Sequence, residues 1–149
     1  MIPLADCKFV LVTPPAAIVD NAAFTTTEID TRGFRWLTVL GLLGATDVDM
    51  VAWKLTESDT SGSGHTDITG LIASGTTGDG RLPQDDDDNK IFAFQVDLKG
   101  RKQYIDVSAT AGDGTNGTFL TILAILSRPE EAPDTTAERG LGGYLALPA

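Results

Sequence analysis

The chain has 149 residues, a net charge of −10 and a sequence pI near 4.3, a balance that repels a phosphate backbone and excludes nucleic acid as a partner. Its length fits one domain able to bury roughly 68–70% of the surface that the unfolded chain exposes, so it needs neither a metal nor a disulfide to fold. With 42% hydrophobic and only 21% charged residues it is no acidic disordered chain, and no stretch nears the ~18 uninterrupted apolar residues of a membrane span, so no membrane partner is expected.

The N-terminus, MIPLADCKFVLVTPPAA, has no basic segment before its apolar run, which Asp6, Lys8 and Pro14-Pro15 interrupt; it does not read as a signal peptide. Cys7, the single cysteine, cannot pair within the chain, and a reducing compartment of synthesis is the simpler expectation. Apolar runs are short and divided by Gly, Ser, Thr, Asp and Asn, which is the rhythm of an all-β chain. In order, strands are expected at Lys8–Thr13, Arg35–Leu43, Asp49–Glu57, Ile91–Leu98, Gln103–Ala109 and Thr118–Leu126, with less regular stretches at Phe24–Ile29 and Thr66–Leu71. Trp36, Thr38, Leu40 and Leu42 alternate with Leu37, Val39, Gly41 and Leu43, so neither face of that strand is polar. Thr118–Leu126 behaves the same way, and such strands are either central or covered by a second subunit. Trp36 and Trp53, both within strands, read as core residues.

Two hairpins are expected. Lys99-Gly100 divides two period-two stretches, and Gly112–Gly117 precedes the doubly apolar strand. Asn116-Gly117-Thr118 matches a glycosylation sequon but reads as a turn. Two long loops interrupt the pattern, SDTSGSGHTD and ASGTTGDGRLPQDDDDNK. Seven to eight strands in little over 120 residues predict an all-β, single-domain β-sandwich of the jelly-roll kind over residues 1–126. Residues 127–149 hold three of the seven prolines and no strand period. They read as an extended C-terminal arm with a turn or two of helix from Asp134 to Gly140, ending in the apolar Tyr144, Leu145 and Leu147.

Four adjacent carboxylates, Asp85–Asp88, resemble a site, yet an EF-hand loop started at Asp85 puts Lys90 where glycine must turn and Val96 where a bidentate Glu must ligate. The run reads as a solvated loop that holds no metal. A run of like charges also lacks the two unlike environments that split carboxyl pKa values for acid/base work. His65, the only histidine, lies among serines beside Asp67 in one loop, whereas working triads bring rigidly held groups from distant segments. Cys7 would have to use the same histidine as its base. Gly75–Gly80 lacks the lysine and the following helix of a phosphate cradle. No catalytic, cofactor-binding or metal residue is therefore assigned, and the chain is not read as an enzyme. The basic residues Lys99, Arg101 and Lys102 gather at one turn, and Arg128 and Arg139 flank the tail, where they suit docking onto an acidic partner surface.

The segments TEIDTRGFRWLTVLGLLG, DMVAWKLTESDTSGSG, FAFQVDLKGRKQYIDVSATAG and LAILSRPEEAPDTTAERG, in that order from Thr25 to Gly140, resemble the head decoration (cement) proteins of tailed bacteriophages. The resemblance implies a small sandwich that trimerises on the outside of a virion, binds the major capsid protein and clamps neighbouring shell subunits, after synthesis in the host cytoplasm. It implies that the chain leaves the sandwich at Leu126-Ser127-Arg128-Pro129 and that Thr136–Gly140 lies on a neighbour. Lys99, Arg101, Lys102, Arg128, Glu138, Arg139, Tyr144, Leu145 and Leu147 are then the expected interface residues. The long acidic loop has no counterpart in that family. Two rival expectations are a carbohydrate-binding or host-adhesion module using the polar loops, and a calcium module built on Asp85–Asp88 with Asp79.

Overall fold

The computed structural model describes residues 4–16, 18–75, 78 and 80–147. Eight strands follow in chain order: β1 (Lys8–Thr13), β2 (Ile29–Asp30), β3 (Phe34–Thr46), β4 (Ala52–Ser58), β5 (Thr66–Ile72), β6 (Ile91–Asp97), β7 (Tyr104–Thr110) and β8 (Thr118–Pro129). They form two four-stranded antiparallel sheets, β1-β8-β3-β6 and β2-β7-β4-β5, that pack face to face as a β-sandwich. The pairs β4·β5, β3·β6, β2·β7 and β1·β8 are nested, as in one long hairpin whose tip is the β4–β5 turn and whose arms are laid alternately into the two sheets.

That topology corrects both expected hairpins. The Lys99-Gly100 turn is present, with the Arg101 N–H donating to Leu98 O (3.0 Å) and Gly100 at φ 75°. The strands it joins belong to opposite sheets, and so do β7 and β8. Period-two alternation and a turn glycine are equally compatible with a connection that crosses the sandwich, because both strands still turn one face to the same core. The stretch Phe24–Ile29 is likewise not one strand. Phe24 N–H donates to Ala109 O in one sheet and Thr27 N–H to Val12 O in the other, and only Ile29 enters a ladder.

The core consists of the inward residues of both sheets, among them Val12, Leu37, Val39, Leu55, Ile105, Val107, Ile122, Ala124 and Leu126. Trp53 of β4 occupies its centre, stacked on Phe94 of β6 with ring centroids 5.1 Å apart. Room for the indole comes from Gly41 of β3, where a Cβ would stand 2.7 Å from the Trp53 ring. Trp36 is not a core residue. It points outward from β3 with the Arg128 guanidinium 5.5 Å from its ring.

Strand β8 continues to Pro129, paired with Phe34, and the chain then turns back on the sandwich. Thr135 and Glu138 cap a single helical turn reciprocally: Thr135 Oγ1 accepts from Glu138 N–H (3.1 Å), and Glu138 Oε2 accepts from Asp134 N–H (2.8 Å) and Thr135 N–H (3.0 Å). The turn closes at Gly140 (φ 70°), with Gly140 N–H bonded to Ala137 O and Leu141 N–H to Thr136 O. This turn is fastened to the free edge of β1 by Phe9 N–H to Arg139 O (2.7 Å) and by Arg139 Nε to Ala5 O (3.0 Å). Residues 136–140, expected on a neighbouring subunit, thus lie on this chain's own first strand; Tyr144 is still half-buried under Arg139, and the chain stands clear from Leu145.

Replacing Gly41 with Ala is expected to lower unfolding stability by about 1–3 kcal/mol through overpacking against Trp53. Urea denaturation followed by Trp fluorescence measures this, and an unchanged midpoint would show that the ring has room to move.

Candidate functional site

The acidic run is neither loose nor evenly solvated. Asp87 is 0% exposed. Its carboxylate accepts from both terminal guanidinium nitrogens of Arg81, Nη2 at 2.7 Å, and from Lys90 Nζ (2.7 Å) and Gln84 N–H (2.9 Å). Asp88 Oδ1 accepts from Thr46 N–H (2.8 Å), and Asp85 N–H donates to Asp49 Oδ1 (3.0 Å). Two of the four carboxylates therefore tie residues 81–90 into a fixed structure, and the Asp85 backbone ties that structure to the β3–β4 connection. The Arg81 guanidinium holds the Asp87 carboxyl far below the usual range, with Lys90 and the Gln84 amide adding to it against the cost of burial. The expectation of a solvated loop is corrected by Arg81 and Lys90, which flank the run and let one of its members be buried.

Other carboxylates do the same work. Asp47 accepts from the N–H groups of Thr115 (2.7 Å), Asn116 (2.6 Å) and Gly117 (3.1 Å), which holds the β7–β8 loop and lowers its pKa, chiefly through Asn116 and Thr115. Glu28, which sequence reasoning missed, receives Ser61 Oγ (2.6 Å) and Gly62 N–H (2.9 Å), and these two bonds lower its pKa. His65 Nε2 approaches Glu28 Oε2 to 3.0 Å. A nucleophilic triad needs the imidazole between the hydroxyl and the acid; here the carboxylate lies between Ser61 and His65, so Ser61 has no base. Cys7 is buried, and burial pushes its thiol pKa up, away from the thiolate form that attacks. Among the described residues no three His, Cys, Asp or Glu groups converge as a cation site would require. Asp79, named for a calcium site, and Thr76 and Thr77 of the glycine-rich stretch lie outside the described residues.

The expected interface residues separate into two groups. Arg101 Nη1 is 3.5 Å from Glu57 Oε1 and Lys102 Nζ is 3.8 Å from Asp59 Oδ2, so much of that turn's positive charge is met within the chain, while Lys99 is exposed. Arg128 lies over Trp36, and Glu138 and Arg139 fasten the tail turn; Arg139 also covers the Tyr144 ring at 4.9 Å. Leu145 and Leu147 are 100% exposed.

A larger feature emerges from the sheet register. The outer face of β1-β8-β3-β6 reads, row by row, Phe9–Ile125–Thr38–Gln95, then Leu11–Leu123–Leu40–Ala93, then Thr121–Leu42–Ile91 on the three strands that continue. No charged side chain occurs in these rows, on a chain with 21 acidic residues. Leu11, Leu42 and Ile91 are exposed, Ile91 at 65%. From strand spacing and rise the rows, with Thr38, Gln95 and Thr121 among them, cover about 400 Å² of sheet, the size of the largest apolar patch on an ordinary monomer, which is often a functional one. The outside of the other sheet is of the ordinary polar kind, with Lys54 bridging to Asp67 at 2.7 Å and Asp106, Ser108 and Thr110 facing out. Compared with known proteins, the chain matches no family model, no curated protein and no solved structure.

Because the Asp87 carboxyl is depressed in the folded chain, its stabilisation is present above the unfolded pKa of about 3.9 and is lost as pH falls below it. Asp87→Asn should cost about 2–4 kcal/mol at pH 7, since it strips the counter-charge from Arg81 and Lys90 at a buried point. The same variant should lose less stability than the parent between pH 4 and 2 in chemical denaturation; parallel pH profiles would show that the pair contributes nothing.

Proposed function

We propose that this chain is a non-enzymatic virion protein that binds the outer surface of a bacteriophage capsid and cements neighbouring capsid subunits, acting as a homotrimer. The reading rests on one observation above the others: an uncharged apolar sheet face on a strongly acidic protein whose own core is already complete. Apolar area is what a protein partner takes up, and freedom from carboxylates on that face lets a like-charged copy or an acidic shell approach it. The strand order β1-β8-β3-β6 against β2-β7-β4-β5, with every connection but β4–β5 crossing between sheets, supports the finer description of the sandwich as a jelly roll. Shell stabilisation follows from mass action. A protein that binds only the assembled shell stabilises that state by RT ln(1 + [L]/Kd), repeated at each site. The fixed loops around Asp47 and Asp87 favour this role, because little loop freedom would have to be lost on docking.

The second reading, a carbohydrate-binding or host-adhesion module, draws on a hollow of about 510 Å³ lined by Trp36, Arg35, Asp97, Lys99, Arg128 and Glu130. Polar groups around an indole suit a sugar, but Arg128 lies over the ring face on which a sugar would stack. Retention on a glycan array, lost in Trp36→Ala, would favour it.

Co-sedimentation of the purified chain with candidate phage shells tests the first reading. Leu40→Gln with Leu123→Gln, two half-buried positions on the apolar face, should reduce pelleting by about tenfold or more while the far-ultraviolet spectrum is unchanged. A parent chain that stays in the supernatant with every shell would sink the proposal.

A further inference from the structure

One edge of the sheet β1-β8-β3-β6 is closed and the other is open. At β1, Phe9 bonds to the tail and Val12 O accepts from Thr27. At β6 the pairing leaves backbone groups unused. Leu98 N–H donates to Arg35 O and Leu43 N–H to Lys90 O, so the hydrogen-bonded pairs with β3 are Leu37/Val96, Val39/Phe94 and Gly41/Phe92. Ile91, Ala93 and Gln95 therefore direct their N–H and C=O groups away from β3, and among the described residues none of the six has a partner. No lysine, proline or bulge guards this edge. Beside it runs a groove of about 370 Å³ between β6 and β5, lined by Trp53, Leu71, Ala73, Phe92 and Phe94, with the Arg81 guanidinium 5.3 Å from the Phe92 ring at its side. A strand added to β6 would place alternate side chains into that groove and onto the apolar outer face, so its occupant must be extended and apolar on the side that continues the outer face.

The chain itself carries such a segment. Gly142 and Gly143 are unhindered, and Tyr144-Leu145-Ala146-Leu147 follows, with both leucines 100% exposed. The Tyr144 hydroxyl is enclosed yet has no hydrogen-bond partner among the described residues, an arrangement that a phenol improves on by moving. The tail cannot reach its own groove as a strand. It leaves the sandwich at the β1 edge, and passing β8, β3 and β6 takes about 19 Å of the roughly 20 Å that residues 142–147 can span. Nothing is left to lie along β6.

We propose that Tyr144–Leu147 of one copy adds as a strand to the β6 edge of a second copy, with alternate side chains entering the β5–β6 groove. Each copy then offers one tail and one groove, a head-to-tail contact that closes as a ring when the rotation allows. This rests on the self-association proposed above and supplies its mechanism.

The test uses the full-length chain and its Leu145→Ser/Leu147→Ser variant, which leaves the charge unchanged and touches no buried residue. In sedimentation velocity the variant should need about tenfold more protein to associate, and amide exchange at Ile91, Ala93 and Gln95 should slow with concentration in the parent only. Equal association of both chains, with these amides unprotected, would overturn the tail exchange while leaving self-association through the apolar face intact. A parent chain that is monomeric throughout would overturn both.

Discussion

A strand that is apolar on both faces can bury only one of them in a two-layer sandwich, and β3 is such a strand from Trp36 to Leu43. Its inner side, Leu37, Val39 and Leu43, forms the middle of the core, each full burial being worth about 1.5–3 kcal/mol. Gly41 interrupts that row to receive Trp53 from the opposite sheet. Pairing with β8 on one side and β6 on the other fixes its register along its length, so the outer row Thr38, Leu40 and Leu42 cannot slip inward without turning the core row out. The uncharged surface is thus a consequence of how β3 is built, and β8, with Leu123 and Ile125 outside, continues it.

Around this rigid centre the carboxylates act as fasteners. Asp47, Asp88 and Glu28 accept backbone N–H groups from distant parts of the chain, and Asp87 and Glu138 from their own turns, where long loops would otherwise leave donors for water. The net charge of −10 is therefore not only a solvating coat. Several of its members are internal ligands for a chain whose single cysteine offers no disulfide within it to hold its loops, and their anionic form is the one the fold requires.

Strand positions were largely legible in the sequence because period two survives whatever a strand pairs with. Lys8–Thr13 agrees at both ends, and Thr66–Ile72 and Ile91–Asp97 agree to within a residue. Pairing was not legible, because Lys99-Gly100 shows the same turn signal whether the next strand lies beside β6 or across the core from it. Asp87 was hidden for a related reason. The run of four carboxylates looks uniform, and only the cations on either side, Arg81 and Lys90, hinted that one member could be neutralised and buried. Glu28 gave no signal of its own, since Ser61 and His65 lie more than thirty residues away. Trp36 and Trp53 share a residue type and a strand setting, and only register separates the outward ring from the buried one.

The nested pairing also governs how the molecule comes into being. Strand β8 lies between β1 and β3, yet it is the last to be made, so until about residue 129 has left the ribosome the first strand has no neighbour and the third has only one. Of all the ladders only β4·β5 joins consecutive strands, and a chain dominated by distant pairings folds on the slow side, in milliseconds to seconds.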